Sequence, residues 1–152
     1  MAESFADLEG WKELQAYLKE LPLNIESRFL KKALMQAAVI VETAAKTTTE
    51  FKDKTGRLRK SIELEKKRNK KGVIRMGVKA AAPHAHLVER GFTVKTKKGS
   101  RHIPGRYFMT KALMNNRDRV LEEIKTVLGA EIKKFEKKKA AKLRKAARSA
   151  AK

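Results

Sequence analysis

The chain has 152 residues, a formal net charge of +21 and no cysteine. That length carries one domain with a real core and excludes two comfortable ones, while the missing thiols exclude a disulfide framework and a thiolate metal site and fit assembly in the cytosol. So basic a surface repels itself and seeks polyanions, whether nucleic acid, anionic lipid or an acidic protein. No apolar run approaches the ~20 residues that span a bilayer. The start, MAESFADLEG, is acidic where a secretory signal would be basic and then apolar, so neither anchor nor signal is expected.

In chain order, Leu8, Trp11, Leu14 and Leu18 fall at helical spacing and predict a short amphipathic helix over residues 8–20. Leu21-Pro22 interrupts it, with Pro22 suited to the first turn of the next helix. From Asn24 to Thr48 the positions Ile25, Phe29, Ala33, Ala37, Ile40 and Ala44 recur every three or four residues, a helix about 37 Å long. Its alanines allow close approach by another element. Thr47-Thr48-Thr49 and the polar run to Gly56 end it. Thr55-Gly56-Arg57 reads as a turn with Thr55 as a cap, too poor in glycine for a phosphate-binding loop.

A hairpin comes next. Ile62 and Leu64 alternate with Glu63 and Glu65, and Ile74, Met76 and Val78 alternate with Arg75 and Gly77, which gives each strand one apolar face. Asn69-Lys70-Lys71-Gly72 supplies a loop of about four residues. A lone hairpin is marginal in water, so helices before and after it must cover that face. Pro83 and Gly91 then bracket a two-turn helix over His84–Arg90. Phe92–Lys95 and Arg101–Ile103 flank Lys97-Lys98-Gly99-Ser100, a second small hairpin or a mobile loop. From Gly105 onward only Gly129 interrupts a helical pattern through Met109, Leu113, Val120, Ile124, Leu128, Ile132 and Phe135, fading through Leu143 and Ala147. Unbroken from 105 to 150 it would be about 69 Å long, so its last turns must project or pack on another subunit.

The expected fold is α+β: a small antiparallel sheet on residues 58–79, an N-terminal helical pair over it and a long C-terminal helix. Residues 1–128 read as a core domain and 129–152 as a basic helical arm. Within residues 133–152 ten Lys or Arg stand against one acid, Glu136, for a net of +9. Lys133, Lys134, Lys137, Lys138, Lys139, Lys142, Arg144, Lys145, Arg148 and Lys152 cover most of the helix surface. They read either as a solvated face or as a contact for polyanions. Neutralising phosphates releases counterions, so such binding would weaken steeply with salt. With almost no aromatic residue to stack on bases and only two arginines, backbone binding of duplex is favoured over sequence readout or single strands.

Catalytic chemistry finds no support. His84 and His86, two apart, point about 200° from each other on a helix and do not share a metal easily. No serine sits in a Gly-x-Ser-x-Gly setting and carboxylates are scattered, so no enzyme, cofactor, metal or small-molecule substrate is expected. Glu89 reads as a solvated acid or as a partner for Arg106 or Arg57, pinning the short helix to the start of the last one.

Three stretches taken together carry a resemblance: Glu9-Gly10-Trp11-Lys12-Glu13-Leu14 with the later Leu21-Pro22 and the alanine-rich helix to Ala45; Thr55-Gly56-Arg57-Leu58-Arg59-Lys60-Ser61-Ile62; and His86–Gly91 with Ile103–Leu113. Over about residues 8–128 the chain resembles the phage tail-component family typified by the tenth gene product of a lambdoid long-tailed phage. The last blocks resemble that family's Ala-His-x-x-Glu-x-Gly and Pro-x-Arg-Pro-Phe-x-x-Pro-Ala-Leu patterns. Tyr107 stands where the family usually has proline, and Lys95–His102 is longer than the usual link. The resemblance implies a virion component of the head-tail junction, a neck or tail-completion protein, assembling as a homo-oligomeric ring of six with connector and tail-tube proteins as partners and DNA in passage. Arg57, Glu89, Arg106 and Phe108 are then candidates for pinning the fold or a subunit contact. The second reading is a free, non-specific duplex-DNA-binding protein whose arm grips the backbone.

Overall fold

The computed structural model describes residues 10–70 and 73–150. Leu8, the loop residues Lys71 and Gly72, and Lys152 lie outside them. Helix α1 (Trp11–Glu20) starts after Gly10 and ends before Pro22, which stands at the N-cap of α2 (Leu23–Thr47) rather than inside its first turn. In α2 the side chains of Phe29, Ala33, Ala37, Val41 and Ala45 are buried, one per turn, so a single stripe faces inward along about 37 Å. Two apolar cores sit along this stripe.

The first core, at the N-terminal half of α2, combines Phe29 and Ala33 with Leu18 of α1 and Val127, Leu128 and Ile132 of α6 (Arg117–Ala150). Phe135 meets Phe29 edge-on at 6.0 Å between ring centres. The second, at the C-terminal half, combines Val41 and Ala45 with Phe51, Leu58, Ile62, Ala85, Phe108 and Ala112, and Val120 of α6 packs against it. α6 therefore runs antiparallel to α2, and its far end extends past the first core.

The sheet portion is two separate antiparallel ribbons rather than one sheet. β1 (Ile62–Lys70) pairs with β2 (Val73–Ala80) in the register Ile62↔Ala80, Leu64↔Val78 and Lys66↔Met76. Period two therefore puts Ile62, Leu64, Met76 and Val78 on one face, and this ribbon packs on α2. Pairing continues to Lys70↔Val73 across an irregularity after Lys67, so Asn69 and Lys70 belong to the strand and not to a four-residue loop. Backbone pairing needs no apolar alternation, so a charged sequence continues it. Residues 58–60, expected to open the sheet, are instead a one-turn helix, α3 (Arg57–Lys60), entered through Gly56 at φ 69°.

After α4 (Ala85–Arg90), β3 (Gly91–Thr96) and β4 (Gly99–Pro104) form the second ribbon, closed by Lys97-Lys98 alone. Its root is tight. A Cβ on Gly91, at φ 83°, would lie 2.4 Å from the Ile103 carbonyl oxygen, and one on Gly105 would lie 2.4 Å from that of Glu89. Only glycine fits either position.

A single helix from Gly105 to 150 does not form. Gly105 is pressed against Arg90, Tyr107 takes φ 52°, and the helical run splits into α5 (Phe108–Met114) and α6. At the split the Asn116 side-chain amide donates to the Ala112 carbonyl at 2.9 Å, while the Asn116 carbonyl accepts from Val120 to begin α6. Asparagine side chains compete with the backbone for such bonds and favour helix ends.

Candidate nucleic-acid interface

The basic arm grows out of the first core, and its root is fastened on three sides. Besides the Phe29–Phe135 contact, Lys32 reaches Glu131 at 2.5 Å, and the Tyr17 hydroxyl donates to Glu136 at 2.9 Å. The bond from Lys32, with its charge and that of Lys134, holds the Glu131 carboxyl below its ordinary range. The Tyr17 phenol is raised, first by its bond to Glu136 and then by burial and that carboxylate's charge. Ile132 is the last buried residue of α6, Phe135 is half-buried, and residues 136–149 are all exposed.

Lys133, Lys134, Lys137, Lys138, Lys139, Lys142, Arg144, Lys145 and Arg148 are exposed. Among the described residues only Lys134 of this set makes an ion pair, at 3.6 Å to Glu131. At about 100° per residue the cations span about two thirds of the helix circumference, and Ala140, Leu143 and Ala147 lie in the remaining third. Over residues 136–149 the one large apolar side chain is Leu143, 63% exposed.

The four pinning candidates are placed as follows. Phe108 is fully buried, its ring 4.8 Å from that of Phe51 at 61°. Glu89 makes no ion pair with Arg57 or Arg106, both of which are exposed. Instead its carboxylate crosses from α4 to the start of α5, where it accepts from the N–H of Met109 (2.9 Å), the N–H of Thr110 (3.1 Å) and the Thr110 hydroxyl (2.7 Å). The first amides of a helix have no intrahelical partner and carry partial positive charge, so they outcompete a solvated guanidinium for this acid. Arg106 contributes its main-chain N–H, to the Val88 carbonyl at 2.8 Å.

Sequence reasoning missed three residues of the Phe51–Ser61 stretch. The Arg59 guanidinium donates to the carbonyls of Lys46, Thr48 (2.7 Å) and Phe51 (3.3 Å), and lies 4.8 Å from the centre of the Phe51 ring. It thereby satisfies the orphan carbonyls at the end of α2 and stacks on the aromatic that enters the second core. Asp53 accepts the Arg59 N–H at 2.9 Å, and that bond, with others from Gly56, Thr55 and Leu58, holds its carboxyl below the ordinary range. Thr55, the expected cap, accepts from the Arg57 N–H only at 3.4 Å. The signal was an Asp six residues before an Arg inside a short loop, which periodicity does not weigh.

This lock falls inside a stretch where a family model matches residues 12–91, described as "Bacteriophage HK97-gp10, putative tail-component". The chain belongs to the HK97-gp10-like family. It is a structural phage tail component of that family, and other virion tail proteins are its natural neighbours. No curated protein and no solved structure matches the chain. In this HK97-gp10-like chain the matched residues run from α1 to Gly91, so the Arg59 lock and Glu89 fall within them, while the second ribbon, the Ile103–Leu113 block and the basic arm lie beyond.

Elsewhere on the chain, His84 stands at the N-cap of α4, His86 is exposed on that helix, and His102 lies across the second ribbon from Thr93, at 3.3 Å. Among the described residues no helix is long and apolar enough to cross a membrane. An apolar groove of about 380 Å³ opens between α2, β2, α5 and α6, lined by Leu34, Ala38, Met76, Met109, Leu113 and Ile124 among others. Leu113 in its lining and the next residue along α5, Met114, are 49% and 66% exposed.

Proposed function

We propose that this HK97-gp10-like chain is a neck or tail-completion subunit that closes into a homo-oligomeric ring, of six copies, at the head-tail junction, with the basic arm turned toward DNA in passage. The observation that carries the reading is the helical arm, whose residues 133–149 carry nine exposed Lys or Arg against one acid, Glu136, grafted on a core of a phage tail-component family. Copies of such an arm brought together repel strongly unless a polyanion lies between them. The exposed Leu113 and Met114 beside the apolar groove supply surface of the kind that subunit contacts bury. We place the core at residues 1–128 and the arm at 129–152, with Lys133 and the cations from Lys137 onward free for phosphate contact. No catalytic role is assigned.

Size-exclusion chromatography with light scattering tests the ring, and gel shifts across a salt series test the arm. A closed oligomer formed without DNA supports the proposal; a monomer at every concentration, indifferent to connector and tail proteins, overturns it. The free DNA-binding protein is favoured instead by a monomer that binds duplex tightly. Removing residues 137–152 should abolish most of the duplex affinity and leave the thermal midpoint nearly unchanged, since the described residues of that stretch bury nothing.

A further inference from the structure

A second basic projection stands at the opposite end of the body from the arm. From residue 90 to residue 117 there are eight Lys or Arg and no Asp or Glu, and half of these cations sit on the β3–β4 ribbon. Lys95, Lys97, Lys98 and Arg101 are all exposed, and none of them makes an ion pair with a described residue. We propose that this ribbon is a second duplex-binding element, in which these four side chains take backbone phosphates of double-stranded nucleic acid.

The ribbon is built to hold charge away from the body. Its apolar side chains, Phe92, Val94 and Ile103, are half-buried near the root, where the Gly91–Gly105 contact leaves no room for play. Beyond them the strands run on to a two-residue turn, where the Thr96 hydroxyl donates to the Gly99 carbonyl at 2.8 Å. Six residues per strand give a finger about 20 Å long. In the register, Val94 faces Arg101 and Lys95 faces Ser100, so Arg101 and Lys95 point to opposite faces while Lys97 and Lys98 occupy the tip. Charge on both faces suits a ribbon flanked by phosphates on two sides. A flat anionic membrane would need the cations on one face. The major groove, about 12 Å wide, admits a two-stranded ribbon. Within the ribbon itself the one Phe, Tyr or Trp is Phe92, half-buried at the root, which disfavours stacking on single-strand bases. The competing explanation is that lysines on two unpaired strand edges only prevent edge-to-edge aggregation.

The inference does not depend on ring closure, and its test reads the individual chain. Duplex affinity of the full chain is measured by fluorescence anisotropy from about 50 to about 200 mM salt, with a duplex of about 20 base pairs and random sequence. The ribbon and the arm lie at opposite ends of α2, so their contributions should separate. Replacing all four cations with serine should lower the slope of log affinity against log salt by about 3 to 4, at about 0.9 for each phosphate no longer neutralised. Lys97→Ser with Lys98→Ser, which touches no ladder pair, should lower it by about 2, and replacing the three lysines with arginine should preserve it. An unchanged slope in both serine variants overturns the proposal. So does self-association of the variants at unchanged duplex affinity, the outcome edge protection demands, or a loss confined to binding of anionic vesicles.

Discussion

The two cores along α2 are held by different means. At the arm end Phe29, Ala33, Val127, Leu128 and Ile132 come from two long antiparallel helices, with Leu18 of α1 closing the third side, and each helix brings a stripe visible in its own sequence. At the hairpin end Phe51, Leu58, Ile62, Ala85, Phe108 and Ala112 come from a loop, three short helices and a strand, none long enough to show a stripe. Short elements need fasteners that long helices do without. Arg59 holds the end of α2 to the loop, Glu89 holds α4 to α5, and both act on backbone groups rather than on opposite charges. The polar fasteners at the arm end join side chain to side chain on the surface, where they contribute little.

The largest test of this contrast is truncation of the central side chain in each core. Phe108 and Leu128 are both fully buried. Phe108→Ala should cost about 4 kcal/mol and Leu128→Ala about 3 kcal/mol in denaturant unfolding. A cost under about 1 kcal/mol for either variant would mean that its side chain does not hold its core together. The fasteners give a smaller and sharper difference. Arg59→Lys keeps the charge but loses the fork that reaches three carbonyls, and should cost about 2 kcal/mol. Lys32→Ala, which breaks the exposed pair with Glu131, should cost under about 1 kcal/mol. Equal costs would remove the distinction between backbone and side-chain fastening.

The smallest effect is in acid. The Asp53 carboxyl titrates below its ordinary range because backbone N–H groups, first that of Arg59, bond its charged form. A depressed folded-state pKa adds stability that is present above the ordinary carboxylate value and is lost as pH falls through the folded one. Thermal midpoints of the native chain should therefore decline below about pH 4, and Asp53→Asn should flatten part of that decline. Glu131, depressed by Lys32, contributes with the same sign at the arm end. A decline of unchanged steepness in the Asn variant would mean that Asp53 does not tie the loop to α3.

Much of the fold was legible in the residues. α1 and α2 follow from apolar spacing, and the first ribbon's inner face follows from alternation at Ile62, Leu64, Met76 and Val78. The family was legible too, from short blocks in a fixed order, the first ones within the matched residues. Other features were not. Phe51 sits in a polar loop and looks like a surface residue until Phe108 arrives from 57 positions away. Glu89 and Arg106 read as an ion pair, whereas the helix end nearby offers the carboxylate stronger partners. Tyr107 takes φ 52°, which proline, fixed near −65°, cannot adopt, so the departure from the family pattern has a backbone consequence seen only in three dimensions.

By itself the sequence determined most of the helical and extended segments, which faces are apolar, and that charge concentrates in the last turns, because period and composition act over neighbouring residues. Only the tertiary structure decided that the apolar positions divide into two cores on one helix, that the last helical run breaks at Asn116, and that the basic ribbon and the basic arm project from opposite ends. Those outcomes depend on which distant backbone groups find donors and acceptors and on how closely glycines let strands approach. No local pattern encodes such distances.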